Sequence, residues 1–505
     1  MRLSQMTKYT AASTASSLIM RGLGLGFSVF LTSRMGAEGI GLMTLINSVY
    51  ALGVSFSAAG YRLATTRLAV EDKNSKSPNA FSLLTKILLL ALTTGLICAV
   101  ILRSGAGFIA TRILKEPRST KALQTLAYSL PILAASGVLL AYLGAFYKVV
   151  KIGFVQCISQ VIQIAYVAVS INRGVSIEEC CIRIARADVL GEVVALAFAL
   201  SFVYAEIKDE KRVHGKKAFF RPFIRIALPD ALGYELRSAL STVQQLLVPI
   251  GFRKSGVGAA KALEIYGVMH GMALQVVMFP SCILRSLASL LVPAITESRT
   301  KNNDYATKRT VRRVLHLTLV FSFMVSSVMF FCSDILAETL YKSDECAVFL
   351  RIFSPLIPIM YLDICADSML KGLDKQVASM GYNLLDSVVS VVMVYFLIPK
   401  YQVTGYVIMI FFTETMNTLL SMRELLKTSG TELFPFTDVI NPLICALSSG
   451  MLSAVLGRDI PATALGLCAR LILNLASYSA FMLLSSPETK EDIFSMLGIR
   501  KKALS

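Results

Sequence analysis

The sequence predicts an all-α polytopic membrane protein of about fourteen transmembrane helices, built as two pseudo-symmetric six-helix lobes plus two C-terminal helices, and three observations carry that prediction. The first is composition: of 505 residues, 55% are hydrophobic and only 16% charged, with a mean hydropathy of +0.65, well above ordinary usage in soluble domains. The second is length: apolar runs of about 20 residues, enough to cross a bilayer, recur from end to end. The third is arginine inside such runs, at Arg21, Arg237 and Arg285. A charge near the centre of a lone spanning helix costs roughly 2.5 to 3.5 kcal/mol on insertion scales, so such residues persist where they face a protein partner or a watery cavity. Three of them suggest an anion held inside the membrane.

Taken in order, the expected spans of the first set are 14–33, 40–61, 81–102, 122–144, 152–171 and 184–205. The second set is 224–250, 265–295, 311–333, 347–370, 376–398 and 402–422, and two more follow at 438–456 and 461–484. With the N-terminus inside, cytoplasmic segments hold about 28 Lys and Arg and external segments about 14, which is the bias that cytoplasmic loops carry. Both termini are therefore expected to be cytoplasmic. The loop from Arg103 to Lys121, external in this arrangement, is the exception with five basic residues.

The basic loop KDEKRVHGKKAFFR, from Lys208 to Arg221, divides the chain. The expected organisation is an N-terminal lobe over 1–206, a cytoplasmic linker over 207–223, a second lobe over 224–425, and two additional helices with a cytoplasmic tail over 426–505. A parallel repeat about the membrane normal is a common transporter plan. Span 1 carries Arg21 and leads into SRMGAEGIG, while span 7 carries Arg237 and leads into RKSGVGAA, so related halves would set these two arginines facing one another across a shared cavity. Gly22, Gly24 and Gly26 permit close helix contact, and Pro131, Pro229, Pro280, Pro355 and Pro358 fall inside spans, where neighbours or cavity water must satisfy the freed carbonyls.

The net charge of +18 is explained by cytoplasmic loops, and no basic helix or aromatic-interleaved patch points to nucleic acid. Ten scattered cysteines show no CxxC or Cys/His ligand spacing, and the three histidines, His214, His270 and His316, stand in no catalytic pattern. No enzyme activity, cofactor or metal is therefore expected. Arg2 and Lys8 precede an apolar stretch, but Arg21 interrupts it and no small-residue cleavage site follows, so a retained first helix is expected rather than a signal peptide.

Among the charges inside spans, guanidinium stays protonated and offers a planar fork suited to phosphate or carboxylate. Arg21, Arg237 and Arg285 are the candidate substrate-binding residues. Glu235 and Arg237 are two apart on one helix and so point to different faces. Asp363 and Asp367 share a face of span 10, and Asp386 and Glu414 stand in spans 11 and 12. These four carboxylates admit two readings: a cation or proton site that drives transport, or ion-pair partners for Arg351 and Arg470.

At these residues the sequence resembles a known superfamily. IMRGLGLGFSVFLTSRMGAEGIGLMTL, from Ile19 to Leu45, resembles the opening of the polysaccharide and lipid-linked oligosaccharide flippases. AAGYRLATTRLAVE, from Ala58, resembles the end of their second span. GVMHGMALQVVMFPSCILRSLASLLVPAITES, from Gly267, resembles their eighth, and YLDICADSMLKGLDKQ, from Tyr361, their tenth. Fourteen spans fit the branch that holds stage V sporulation protein B and the lipid II flippases better than the twelve-span multidrug and toxin extrusion branch. The resemblance implies a bacterial inner-membrane protein that moves an undecaprenyl-linked saccharide or cell-wall precursor by alternating access between two lobes, with Arg21 as the residue carried over to the cavity. Membrane lipid is then a partner, and a coupling cation or the membrane potential supplies energy. Two other functions remain in competition: a cation-coupled extruder of organic cations, which needs an acidic cavity, and a non-transporting scaffold for envelope or spore assembly.

Overall fold

The structure is a computed structural model that describes residues 3–58, 60–73, 79–172, 174–208, 220–300, 303–458, 460–461 and 463–485. Most of the 207–223 linker and the tail beyond residue 485 lie outside the described residues. Among the described residues every regular element is helical. In chain order these are α1 (Leu3–Ala58), α2 (Tyr61–Lys73), α3 (Ala80–Phe108), α4 (Thr120–Ala127), α5 (Ser129–Ala145), α6 (Val149–Ser170), α7 (Ile177–Ile207), α8 (Phe220–Lys254) and α9 (Ala259–Tyr266). They continue as α10 (Leu274–Met278), α11 (Ser281–Thr300), α12 (Asp304–Phe331), α13 (Ser333–Tyr341), α14 (Asp344–Phe353), α15 (Ile357–Gly372), α16 (Gln376–Ser429), α17 (Asn441–Leu456) and α18 (Ala464–Ser485), joined in places by single turns of wider or tighter helix.

Two helices are too long to be single spans. At 1.5 Å per residue a straight 56-residue α1 would reach about 84 Å against a hydrocarbon core of about 30 Å. It breaks at Gly36, whose φ of 68° and ψ of −179° suit a residue without a Cβ. The 54-residue α16 breaks at Gln402 (φ 51°, ψ −126°), three residues after Pro399. A Cβ placed on Gly405 would lie 2.5 Å from the Leu397 carbonyl oxygen, a contact that only a reversal of the chain between them allows, since eight residues of helix span about 12 Å. Among the described residues nine helices are long and apolar enough to cross a membrane, or ten if the bent pair of α4 and α5 is one span. Counting α1 and α16 twice raises the apolar crossings to twelve. The segments expected at 224–250 and 265–295 are not among those helices, the second being broken between Met278 and Ser281, so the structure supports a many-span helical membrane protein without itself counting fourteen.

Contacts divide the chain into two compact units, Met1–Gly267 with Ser387–Met409, and Val268–Asp386 with Ile410–Ser505. The first unit therefore takes in α8 and α9, which the sequence-based division assigns to the second lobe. The reason is close backbone approach: a Cβ on Gly41 would meet the Leu263 carbonyl oxygen at 2.0 Å, and one on Gly267 the Ala37 carbonyl oxygen at 2.1 Å. Small residues at helix contacts are how membrane helices gain packing energy when lipid supplies no hydrophobic drive. The core of this unit joins α2, α3 and α5 through Ala64, Leu68, Ile87, Ala91, Val138 and Tyr142. Tyr61 donates to the Leu90 carbonyl at 3.1 Å and shares a 2.9 Å hydrogen bond with Thr94. On the outward face of α3, Leu96, Ile97, Val100 and Ile101 are each more than half exposed, which suits lipid as the surrounding solvent.

Charges at one end of the first unit satisfy one another. Glu116 accepts from Arg253 at 2.5 Å and from Arg118 at 2.9 Å, and Arg118 also reaches Glu38 at 2.9 Å. Lys121 lies 3.3 Å from Glu178. Two of the five basic residues of the 103–121 loop are thus neutralised locally.

In the second unit α12 is the central post. Tyr478 of α18 donates to the Val320 carbonyl at 2.8 Å, Asn474 to Ser327 Oγ at 3.2 Å, and Ser327 to the Ala446 carbonyl of α17 at 2.7 Å. His316 Nδ1 lies 2.8 Å from Asp438 Oδ1, and both side chains are buried. The last two helices, which the sequence sets apart as an addition, are bonded to α12 along its length.

Candidate functional site

A cavity of about 780 Å³ lies within the first unit, walled by α1, α5, α6 and α7 with Arg62 contributed by α2. Its polar side is written on α6, where Gln156, Ser159, Gln160 and Gln163 recur at helical spacing and all line it. Residues at i, i+3, i+4 and i+7 share one helix face. Ser159 donates to the Gly191 carbonyl at 2.9 Å, which fixes α6 against α7, while the three amides keep donors and acceptors for water or ligand. Ser136 of α5 donates to Glu192 of α7 at 3.2 Å. Arg21 enters from α1, half-buried, and Ser16, Ser17 and Met20 from the turn before it. The charged lining residues are Arg21, Arg62 and Glu192, so the lining is cationic by one charge. Arg62 makes no ion pair among the described residues. The chemistry is a polar chamber with two guanidinium forks and an amide stripe, suited to phosphate and to sugar hydroxyls.

Arg237 does not join Arg21 there. It stands exposed on α8, outside the lining of this cavity, because Glu235 on the opposing face turns inward to accept from Ser55 at 2.9 Å. Two residues of helix rotate by about 200°. Arg21 and Arg237 are therefore not brought together in this cavity. Arg285 stands exposed on α11 in the second unit. Asp367 is held by Ser379, by Asn383 Nδ2 at 3.1 Å and by Lys371 at 3.8 Å. Asp363, Asp386 and Glu414 are half-buried in the same unit. Neither arginine that was a candidate partner for these acids pairs with them. Arg351 binds Asp334 at 2.8 and 2.9 Å, and Arg470 donates to the Arg458 and Ile460 carbonyls at 3.4 and 3.3 Å. Carbonyls left over past the end of α17 are a natural sink for a guanidinium.

Sequence reasoning passed over Arg62, Glu192 and the glutamines. The glutamine stripe was detectable, since a polar face of period 3.6 inside an apolar span has no use in lipid. Arg62 was not, because it follows a span end, where basic residues are ordinary.

The polysaccharide biosynthesis protein family matches residues 6–299, and the MatE family matches residues 269–396. The chain belongs to the polysaccharide biosynthesis protein family. This family member is 24% identical over 438 residues to stage V sporulation protein B of Bacillus subtilis (strain 168), covering 83% of each chain. Its fold is that of lipid II flippase MurJ in an inward closed conformation, with a TM-score of 0.72 at 13% identity over 96% of this chain and 99% of that one. It is also that of an inward-facing multidrug resistance MATE family transporter of the MOP superfamily, with a TM-score of 0.64 at 12% identity over 83% of this chain and 97% of the other. The fold is thus one that a lipid II flippase and a multidrug resistance transporter also adopt.

Proposed function

We propose that this chain flips a saccharide or cell-wall precursor linked to undecaprenyl pyrophosphate across the bacterial inner membrane. The observation that carries the reading is the Arg21 and Arg62 cavity with its amide stripe. A polyprenyl pyrophosphate sugar joins an anionic head to a long apolar tail; the head needs a basic, hydrated chamber while the tail stays in lipid. Arg21 and Arg62 hold the pyrophosphate, Gln156, Gln160 and Gln163 contact sugar hydroxyls, and Arg285 and Arg237 serve the head at other stages of alternating access.

In the same reading the two six-helix halves are the moving lobes, both termini are cytoplasmic, and Asp363, Asp386 and Glu414 carry a coupling cation or respond to the membrane potential. Asp367, already held by three side chains, sets local structure. Differential affinity of the head for two states is what any driven cycle requires. The MatE match over residues 269–396 favours cation-coupled extrusion as the second reading, but an organic cation would meet a cationic lining here. The test is transport of a defined polyprenyl-pyrophosphate sugar by the purified protein in vesicles. Movement of that lipid, lost in Arg21→Ala, supports the proposal; export of organic cations with no movement of the lipid overturns it.

A further inference from the structure

A second pocket, of about 460 Å³, opens in the first unit where the last turn of α2, the α5–α6 turn and the end of α7 meet. Lys73, Lys148, Tyr147, Phe146 and Glu206 line it, and Lys151 adds a third ammonium, since both Lys151 and Lys148 reach the same Glu206 Oε1, at 2.6 and 3.1 Å. Two lysines thus meet one carboxylate, and Lys73 stands in the same pocket. Lys73 makes no ion pair among the described residues; its ammonium rests 4.4 Å from the centre of the Phe146 ring, which holds a cation in place without neutralising it. Each ammonium carries three donors, and one carboxylate cannot use them all. Tyr147 stands exposed at the rim on a left-handed backbone of φ 58°, and lysine with tyrosine at helix ends is the pairing found at membrane–water boundaries. The helix ends on either side of the α5–α6 turn also wall the Arg21 cavity, through Gly144 of α5 and Val149 and Ile152 of α6.

We infer that this pocket binds the phosphate of an anionic lipid headgroup at the membrane surface, as the docking site from which such a headgroup reaches the Arg21 cavity. The second half of that statement rests on the flippase reading; the binding itself does not. Mobile ammoniums suit a first, exchangeable contact, and the fixed guanidinium fork of Arg21 suits the next.

The chain contains no tryptophan, so Tyr147→Trp installs a single fluorescent reporter at the rim. The protein is placed in phosphatidylcholine nanodiscs doped with either dibrominated phosphatidylglycerol or dibrominated phosphatidylcholine, and bromine quenching reads local lipid enrichment. Preferential quenching by the glycerol lipid is expected, weakened about fivefold for each of Lys73→Gln and Lys148→Gln and reduced by salt. Both variants leave Lys151 to satisfy Glu206. A control reporter, Phe108→Trp at the other end of α3, should show no preference. Equal quenching by the two lipids, or a preference indifferent to the lysine substitutions, overturns the proposal. Displacement by inorganic phosphate without any lipid preference assigns the pocket to a free anion and overturns it as well. The measurement involves no flipping, so failure to transport a given saccharide lipid leaves its result intact.

Discussion

The polar residues around α12 and those around the Arg21 cavity lie in equally apolar stretches of sequence, yet the fold spends them differently. In the α12 region Ser327, Asn474, Tyr478, His316 and Asp438 bond to one another and to backbone carbonyls. In the cavity, Arg62 and the amides of Gln156, Gln160 and Gln163 face an open volume of about 780 Å³. A polar group buried in a membrane protein is accounted for either by a partner in the protein or by a hydrated space. The difference teaches that charge or polarity within a span does not identify a site until the fold shows which of these applies.

The largest expected effect lies on the satisfied side. Asp438→Ala removes the partner of His316 Nδ1 and also the acceptor of the Phe434 N–H, bonded at 2.7 Å. Leaving a buried group unsatisfied costs about 1 to 3 kcal/mol, so two lost bonds should lower the melting temperature and the membrane abundance markedly, while transport per folded molecule stays near normal. Unchanged stability would break the contrast between the two regions.

Next comes Arg21→Ala. A hydrogen bond to a charged group contributes about 1.5 to 3 kcal/mol, so saccharide-lipid transport should fall roughly 10- to 100-fold at normal abundance. Arg21→Lys should keep part of it, because an ammonium retains the charge without the fork. Normal abundance with full transport would remove Arg21 from the mechanism; lost abundance would class it with the residues around α12.

A smaller change is expected from Gln160→Leu. Replacing one amide of three by an isosteric apolar side chain should weaken apparent affinity for the sugar by about tenfold at most, given roughly 0.5 to 1.5 kcal/mol per neutral hydrogen bond. Stability should hold or rise. A loss of folding instead would show that the stripe is packing.

The smallest effect is a labelling experiment that leaves function untouched. A cysteine introduced as His214→Cys, with the native cysteines replaced, should resist membrane-impermeant thiol reagents in intact cells if the linker is cytoplasmic. Efficient external labelling would invert the arrangement, and with it the side on which the lysine pocket opens.

Much of the fold was legible because the bilayer imposes a one-dimensional rule. A crossing helix must be apolar over about 20 residues, and that rule can be read without knowing any contact. The breaks at Gly36 and Gln402 were legible by the same rule, since the expected spans 14–33 and 40–61, and 376–398 and 402–422, end and resume around them. Arg21 and its glycine-rich surroundings were legible as motif. The grouping of α8 and α9 with the first unit was not, because it depends on backbone approach at Gly41 and Gly267, residues far apart in the chain that sequence order separates. The fate of each charge within a span was equally hidden: Arg21 lines the first unit's cavity, Arg237 stands outside that lining, and Arg470 ends on helix-terminal carbonyls. Sequence by itself determined that this is a helical membrane protein of a recognisable family, since hydropathy and local motif suffice for that. Only the tertiary structure decided which polar groups remain available to a ligand, because satisfaction of a buried donor or acceptor is a property of three-dimensional neighbours and leaves no periodic trace in the chain.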